Sequence, residues 1–293
     1  MNPALEVVVT RGDVIEARHL VHAVAVSDGA RVLEAGDVEL VAFLRSAAKP
    51  IQALPLVRER PDLDDVEIAI ACASHLSRPE QLAAVRNLLA KAPADESELE
   101  TGPDPTPLEH NCSGKHAGFL ALCRARGWAS EGYRLADHPC QRAMLVEVAA
   151  LADVDETAIP TAVEGCGVLT FALSLDVMAR VFARLPEREG AQRTLAAMQA
   201  YPDLIRGPLE ADSILMRELP GWTAKGGAEG LICATGPDGL GVALKVEDGN
   251  TRAVAPALGA VVRRLGYPEV ERLTFTPVAT SRGEVVGEIV LAR

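Results

Sequence analysis

The chain is poor in aromatic rings. Phe, Trp and Tyr make up 3% of its 293 residues, so alanine, valine and leucine have to fill any core that forms. Basic residues are in deficit too: 29 Lys and Arg face 41 Asp and Glu, for a formal net charge of −12. A surface of that sign repels phosphate backbones and excludes nucleic acid as an expected partner. No apolar run reaches the roughly 20 residues of a membrane-spanning helix, so no membrane partner is expected. The opening MNPALEVVVTRGD lacks the charged start, apolar stretch and cleavage site of a secretory signal, which predicts a cytoplasmic protein. The six cysteines, Cys72, Cys112, Cys123, Cys140, Cys166 and Cys233, form no CxxC pair. Without a secretory signal they are expected as reduced thiols, some of them available for metal binding or chemistry. Repeats, low-complexity tracts and long linkers are missing as well. The length suits one large domain or two close-packed lobes.

What is present reads as α+β. EVVVTR and VHAVAVSD are strand-like, and the turn SDGAR between VHAVAV and RVLEAG marks a hairpin. VELVAFL reads as a third strand. SAAKPIQALPLVRER and PEQLAAVRNLLAKA read as helices, the second with Pro79 in its first turn. The middle is mostly helical: KHAGFLALCRARG, closed by Gly127, then HPCQRAMLVEVAALAD, LTFALSLDVMARVFARL, AQRTLAAMQAYP and PLEADSILMREL. The short, glycine-flanked TAIPTAVEGCGV interrupts it with β character. EGLICAT, GLGVALKVEDGN, a helix in TRAVAPALGAVVRRLG and the closing GEVVGEIVLAR complete the pattern. Strands at both ends around a helical middle predict an antiparallel sheet with N- and C-terminal strands side by side.

Ser46 and Lys49 in RSAAKPIQALPL stand one helical turn apart, so their side chains share a face. A serine hydroxyl needs a base before it can attack. A lysine whose pKa is depressed by burial or by a nearby cation can be that base. Arg45 can supply such a cation or bind a substrate carboxylate. Pro50 is tolerated in a helix's first turn and costs about 3 kcal/mol deeper inside. It therefore puts Ser46 at or just before a helix N-terminus, where developing negative charge is favoured. An N-cap serine followed by a solvated lysine fits the same letters.

HNCSGKHAGF brings Cys112 and Lys115 together, and Cys166 follows inside EGCG. Thiolates are strong zinc ligands, and a lysine can ligate only when neutral. His110 and His116 match no common zinc spacing. A cysteine nucleophile at a helix N-terminus fits too, as does a purely structural segment in which Ser113 caps the next helix. In ACASHLSRPE, adjacency alone does not make Ser74 and His75 a dyad, because neighbouring side chains diverge in extended structure. Lys225, followed by two glycines at a probable strand end, suits the wall of a site or a plain glycine turn.

Together RSAAKPIQALPL, CASH, NCSGKHAG, EGCGV and KGGAEGL follow the order and approximate spacing of the bacterial asparaginase II family, the Rhizobium etli type. The chain resembles that family over nearly its whole length. The resemblance implies a serine β-lactamase and penicillin-binding-protein-like fold, in one catalytic domain over residues 1–293. It implies hydrolysis of L-asparagine to aspartate and ammonia through an acyl-enzyme. Ser46 matches the nucleophilic serine, Lys49 its base, and Ser74 with Lys225 a second serine–lysine pair. Arg45 matches the arginine before the nucleophile and is expected to bind substrate. Cys112, Lys115 and Cys166 match a zinc site beside the substrate, so zinc is the implied cofactor and a homodimer the implied assembly. Glu164, expected beside the substrate, stands where the family commonly has Asp, and HLSRPE stands where HSGEPE is more usual.

Two other readings remain open on the letters alone. The same acyl-enzyme chemistry could act on glutamine, a small peptide or a β-lactam, although the SDN and KTG motifs of class A β-lactamases are missing. A zinc-binding protein without catalysis is the other, with Glu164 the main reason to weigh it.

Overall fold

The computed structural model describes residues 2–103 and 105–292. In chain order the strands are β1 (Leu5–Arg11), β2 (Val14–Ser27), β3 (Ala30–Ala35), β4 (Val41–Phe43), β5 (Thr161–Val163), β6 (Leu169–Ser174), β7 (Thr223–Gly226), β8 (Leu231–Thr235), β9 (Gly241–Val246), β10 (Phe275–Ala279) and β11 (Val285–Leu291). The helices used below are α1 (Lys49–Gln52), α2 (Leu54–Glu59), α3 (Asp65–Ala71), α4 (Pro79–Lys91), α5 (Ser113–Arg126), α6 (Pro139–Ala152), α7 (Leu175–Arg184), α8 (Ala191–Ala200), α9 (Pro202–Ile205), α10 (Ala211–Glu218) and α11 (Val254–Arg264). Packing divides the chain into two units. The first takes the residues up to Ala42, Ser174–Ala183 and those from Leu209; the second takes Phe43–Leu173 and Arg184–Pro208. No helix among the described residues is long and apolar enough to cross a membrane.

The first unit is built on an antiparallel sheet in the order β10-β11-β1-β2-β9-β8-β7, with β3 also paired to β2. β1 lies between β2 and β11, with Val8 opposite Val290, so the two chain ends meet side by side as expected. Asp28 and Gly29 form a two-residue loop, both with positive φ, and close the β2–β3 hairpin through Ser27 and Ala30. That geometry matches the right-handed twist of the strands it joins. Small aliphatic residues fill the core, among them Val7, Val21, Ala23, Val242, Leu244, Leu258 and Val261. One aromatic pair, Trp222 edge-on to Tyr267, joins them.

Two sequence expectations are corrected here. LTFALSLDVMARVFARL is not one helix: Leu169–Ser174 is β6, and α7 begins at Leu175. The apolar run is short enough to suit either state, and its pairing with β5, Thr161 to Phe171 and Val163 to Leu169, decides for strand. VELVAFL holds a strand only over β4. β10 was not signalled because Pro277 interrupts it; it ends the sheet, where a missing N–H leaves no ladder bond unmade.

In the second unit the helices pack around α3 and α5. Asp64 caps α3 in a reciprocal capping box with Glu67. The segment read as one helix from Ser46 to Arg60 is a 3₁₀ turn followed by α1 and α2, each with proline in its first turn. Pro55 has no N–H to continue the ladder. α5 crosses α3 so closely that a Cβ on Gly114 would lie 2.1 Å from the Ile70 carbonyl oxygen. Backbone cannot swing aside. On Gly118, one turn on, it would meet Leu56 Cδ2 at 3.1 Å, a movable side-chain tip. Gly114→Ala is therefore expected to cost roughly 3 kcal/mol or to block folding, and Gly118→Ala about 1 kcal/mol. Urea unfolding of both variants checks this; equal losses would refute the close approach.

Candidate active site

The chain enters the site after Leu44, whose N–H donates to Phe171 O on β6 at 2.9 Å. Arg45 opens the 3₁₀ turn Arg45–Ala48 with φ +48°, the left-handed region. A non-glycine residue there costs on the order of 1–3 kcal/mol and persists when its surroundings hold it. Here the Arg45 N–H is tied to Thr170 Oγ1 at 3.0 Å. The Ser46 carbonyl then accepts the Lys49 N–H. Residues three apart lie on one face of a 3₁₀ turn, which puts Ser46 and Lys49 on the same side of the chain. Ser46 is half-buried, and Lys49 is completely buried.

Lys49 Nζ donates to Ala73 O at 2.5 Å and to Ser74 Oγ at 2.9 Å. The lysine expected to serve Ser46 is thus bonded to the second serine as well. Ser74 follows the end of α3, and its own N–H donates to Ile205 O at 2.7 Å. His75 comes next. Its Nδ1 accepts the Ser77 N–H at 3.2 Å, so the ring proton sits on Nε2, 2.7 Å from Ser113 Oγ. Burial, and then repulsion from Lys49, push the His75 pKa down to about 4. Ser113 is consequently not the helix cap expected from the sequence. Cys112 occupies the cap position of α5 without a side-chain cap bond, and Ser113 is the first helical residue, committed to His75.

Cys112, Lys115, Glu164 and Cys166 come together in the second unit. Cys112 and Lys115 start α5. Glu164 and Cys166 lie in the turn between β5 and β6, closed by Glu164 N–H to Val168 O and Gly167 N–H to Glu164 O, both 2.8 Å. Gly167, at φ +86°, supplies the left-handed step of that turn. Lys115 Nζ donates to Glu164 Oε2 at 3.0 Å and to Cys166 Sγ at 3.2 Å. Glu164 Oε1 also lies 3.5 Å from Arg45 Nε, near enough for an ion pair, yet that buried Nε makes no hydrogen bond.

The charges of this group are settled by one another. Burial works against the Lys115 ammonium, but Cys166, Glu164 and Cys112 outweigh it and hold its pKa well above the lysine range. Burial opposes the Glu164 carboxylate too, and Lys115 again prevails, keeping its pKa below the usual value. The hydrogen bond with Cys166, helped by Lys49 and Lys115, pulls the Cys112 pKa well down against burial, while the same bond and burial push Cys166 up. Cys112 is therefore the more acidic of the two thiols.

Among the described residues no three His, Cys, Asp or Glu form a metal-binding group by themselves. A metal here needs Lys115 as a ligand. The donor chemistry suits zinc on that condition: two thiols and an amine bind it once they give up their protons, and Cys112 does so most readily. His110 and His116 stay out of the set. His110 Nδ1 accepts the Cys112 N–H at 3.1 Å, and His116 Nδ1 is 2.7 Å from the Tyr133 hydroxyl.

Lys225 belongs to the first unit. It stands on β7, fully buried, with Nζ 2.7 Å from Gly226 O and 3.7 Å from Asp212 Oδ2. Asp212, on α10, also accepts the Gly226 N–H at 3.0 Å. Sequence reasoning missed Asp212; the available signal was a carboxylate just before the apolar run at residues 214–216.

Comparison with known proteins adds the following. The family model described as L-asparaginase II matches residues 7–291. No curated protein sequence is significantly similar. The crystal structure of a protein called Mglu in its native form superposes with a TM-score of 0.50 at 13% identity, covering 84% of this chain and 64% of that one. Mglu in its tris and glutamate form gives 0.50 at 14%, covering 91% and 63%. This chain thus spans less than two thirds of Mglu, and the two share a fold. A Bacillus glutaminase gives 0.47 at 12%, covering 84% and 91%. The expected α+β architecture, with an antiparallel sheet joining the two chain ends, is the one found, and Mglu shares it.

His75 has a consequence for stability. Its folded pKa of about 4 lies below the ordinary 6.5, so the unfolded chain binds the proton more readily. The associated stability is present above about pH 6.5 and is lost as pH falls towards 4. Its full size is about 3 kcal/mol, since each tenfold difference in proton affinity between the folded and unfolded chain is worth about 1.4 kcal/mol. His75→Gln, which cannot titrate, is expected to show a correspondingly flatter profile in urea unfolding between pH 6.5 and 4. Parallel curves for the two proteins would rule the assignment out.

Proposed function

The chain belongs to the L-asparaginase II family, and on that premise we propose that it hydrolyses L-asparagine to aspartate and ammonia through an acyl-enzyme on Ser46. Membership makes it an amidohydrolase of a small-molecule substrate; the particular amide and the residue roles are the proposal. The observation that carries it is the bonding of Lys49. A neutral lysine amine has two N–H groups and one lone pair. In the neutral form that base catalysis requires, the bonds to Ala73 O and Ser74 Oγ would use both N–H groups and leave the lone pair for the proton of Ser46, which precedes Lys49 by one turn.

In this mechanism Lys49 takes the Ser46 proton as Oγ attacks the side-chain carbonyl carbon of asparagine. The tetrahedral intermediate collapses by expelling the amide nitrogen, which leaves as ammonia after gaining a proton. Ser74, hydrogen-bonded to Lys49, passes that proton on, and Lys225 is proposed as the second lysine of the relay on the sequence pattern. Water then attacks the ester, and the same groups return the proton to Ser46. Arg45 is assigned to the substrate carboxylate and Glu164 to its ammonium. The held backbone of Arg45 and its unbonded Nε suit a guanidinium kept ready for an anion.

Zinc is proposed as well, held by Cys112, Lys115 and Cys166. When bound, the ion would supply a Lewis acid and a fixed point beside the substrate. Around it this chain's Glu164 would lose its Lys115 partner and turn to Arg45 and the substrate.

Two measurements test these assignments. Ammonia release from L-asparagine is expected to fall at least about a thousandfold in Ser46→Ala; equal activity in both proteins removes Ser46 as the nucleophile. Elemental analysis is expected to find zinc in the purified protein and to lose it in Cys112→Ser and Cys166→Ser, while Cys233→Ser keeps it. Zinc retained by both of the first two variants would place it elsewhere.

A further inference from the structure

Gln81 is fully buried on the first turn of α4. Its Oε1 accepts from the N–H groups of Leu76 at 2.9 Å and Arg78 at 3.1 Å. Its Nε2 lies 3.1, 3.2 and 3.0 Å from the carbonyl oxygens of Asp203, Leu204 and Arg206, two protons shared over three acceptors. Between the last two stands Ile205, whose carbonyl accepts the Ser74 N–H at 2.7 Å. One amide therefore holds both surroundings of Ser74: the chain two residues beyond it and the α9 segment that receives its N–H. A glutamine at the third helical position needs only the Arg78 N–H to complete a cap. The other four contacts lead away from α4 and flank Ser74.

We propose that Gln81 is a positioning residue that sets the Ser74 hydroxyl against Lys49. The proposal rests on the reading of Lys49 and Ser74 as reacting groups. Gln81 touches neither; it acts by fixing Leu76 on one side of the serine and the Ile205 carbonyl on the other. The two halves of its amide do different work. Gln81→Glu keeps the acceptor for Leu76 and Arg78 but turns a second oxygen towards three carbonyls, releasing the Ile205 side. Gln81→Met removes both halves at similar volume.

The test is a double-mutant cycle on L-asparagine. Gln81→Glu is expected to lower kcat by about 10- to 100-fold, the loss that follows a misplacement of roughly 1 Å. Its KM should stay within about threefold of wild type, and Gln81→Met should lose at least as much kcat. On a Ser74→Ala background, Gln81→Glu should cost no further kcat, because the group it positions is gone. A residue that merely supports the fold would multiply the two losses, and that result overturns the proposal. So does an unchanged kcat in either folded variant. Amide hydrogen exchange gives a readout independent of turnover: protection at Ser74 and Leu76 should fall at least about tenfold in Gln81→Glu while the interior of α4 stays protected. If the wild type releases no ammonia from asparagine, the reading of the reaction fails and exchange still decides whether Gln81 holds Ser74. Unchanged protection at Ser74 defeats the positioning role.

Discussion

A lysine with no solvent exposure has to find its hydrogen bonds inside the protein, and Lys49 finds them at the end of α3. An unmet buried amine costs several kcal/mol, so the contacts to Ala73 O and Ser74 Oγ are conditions for burying it at all. They fix the end of α3 against the 3₁₀ turn that carries Ser46. Further bonds then follow in sequence. Ser74 fastens to Ile205, His75 fastens by its N–H to Asn111 and by its ring to Ser113, and Ser113 opens the helix that carries Lys115. Three stretches far apart in the chain are thereby brought to one place by the requirements of a single nitrogen.

Beside Lys49 lies a second buried arrangement, in which Arg45 and Lys115 face Glu164. Such groups are poor stabilisers, since apolar residues of similar volume commonly do as well or better, whereas removing one partner leaves an uncompensated buried charge. Their presence is better explained by chemistry than by folding. The left-handed backbone of Arg45 points the same way. Strain of that kind survives where neighbouring structure imposes it, and the Thr170 hydroxyl and the Leu44–Phe171 bond impose it here.

Most of the framework was legible in the sequence, for local reasons. Asp28-Gly29 marks a primed turn, Pro79 a helix start, and Gly127 the end of α5, because each needs a backbone geometry that few residues accept. LTFALS was not legible, since six residues, four of them apolar and none charged, suit strand and helix alike until a partner strand is known. In the site, the Ser46–Lys49 relation is local and was read from spacing. Cys112, Lys115 and Cys166 were grouped from their chemistry with a cysteine nucleophile and a structural segment left open, and the resemblance chose among these and added Glu164, because their meeting depends on how the β5–β6 turn lies against α5. The Lys49–Ser74, His75–Ser113 and Lys225–Asp212 contacts leave no local pattern at all.

Glu164 shows what a single methylene can change. The family resemblance sets an aspartate at this position, and a shorter carboxylate would reach less far from the turn that holds it. Glutamate spans from Lys115 Nζ at 3.0 Å to Arg45 Nε at 3.5 Å, so one side chain meets both the metal-ligand candidate and the substrate-binding candidate. That bridge ties two equilibria together. On the proposed zinc site, a metal ion that displaced the proton from Lys115 would free Glu164 Oε2 and strengthen the claim of Arg45 on the carboxylate. An anionic group arriving at Arg45 does the reverse, pressing Glu164 back onto Lys115 and favouring its proton. Under the proposed roles, proton, metal ion and substrate carboxylate would compete through this one side chain, which already meets both Lys115 and Arg45.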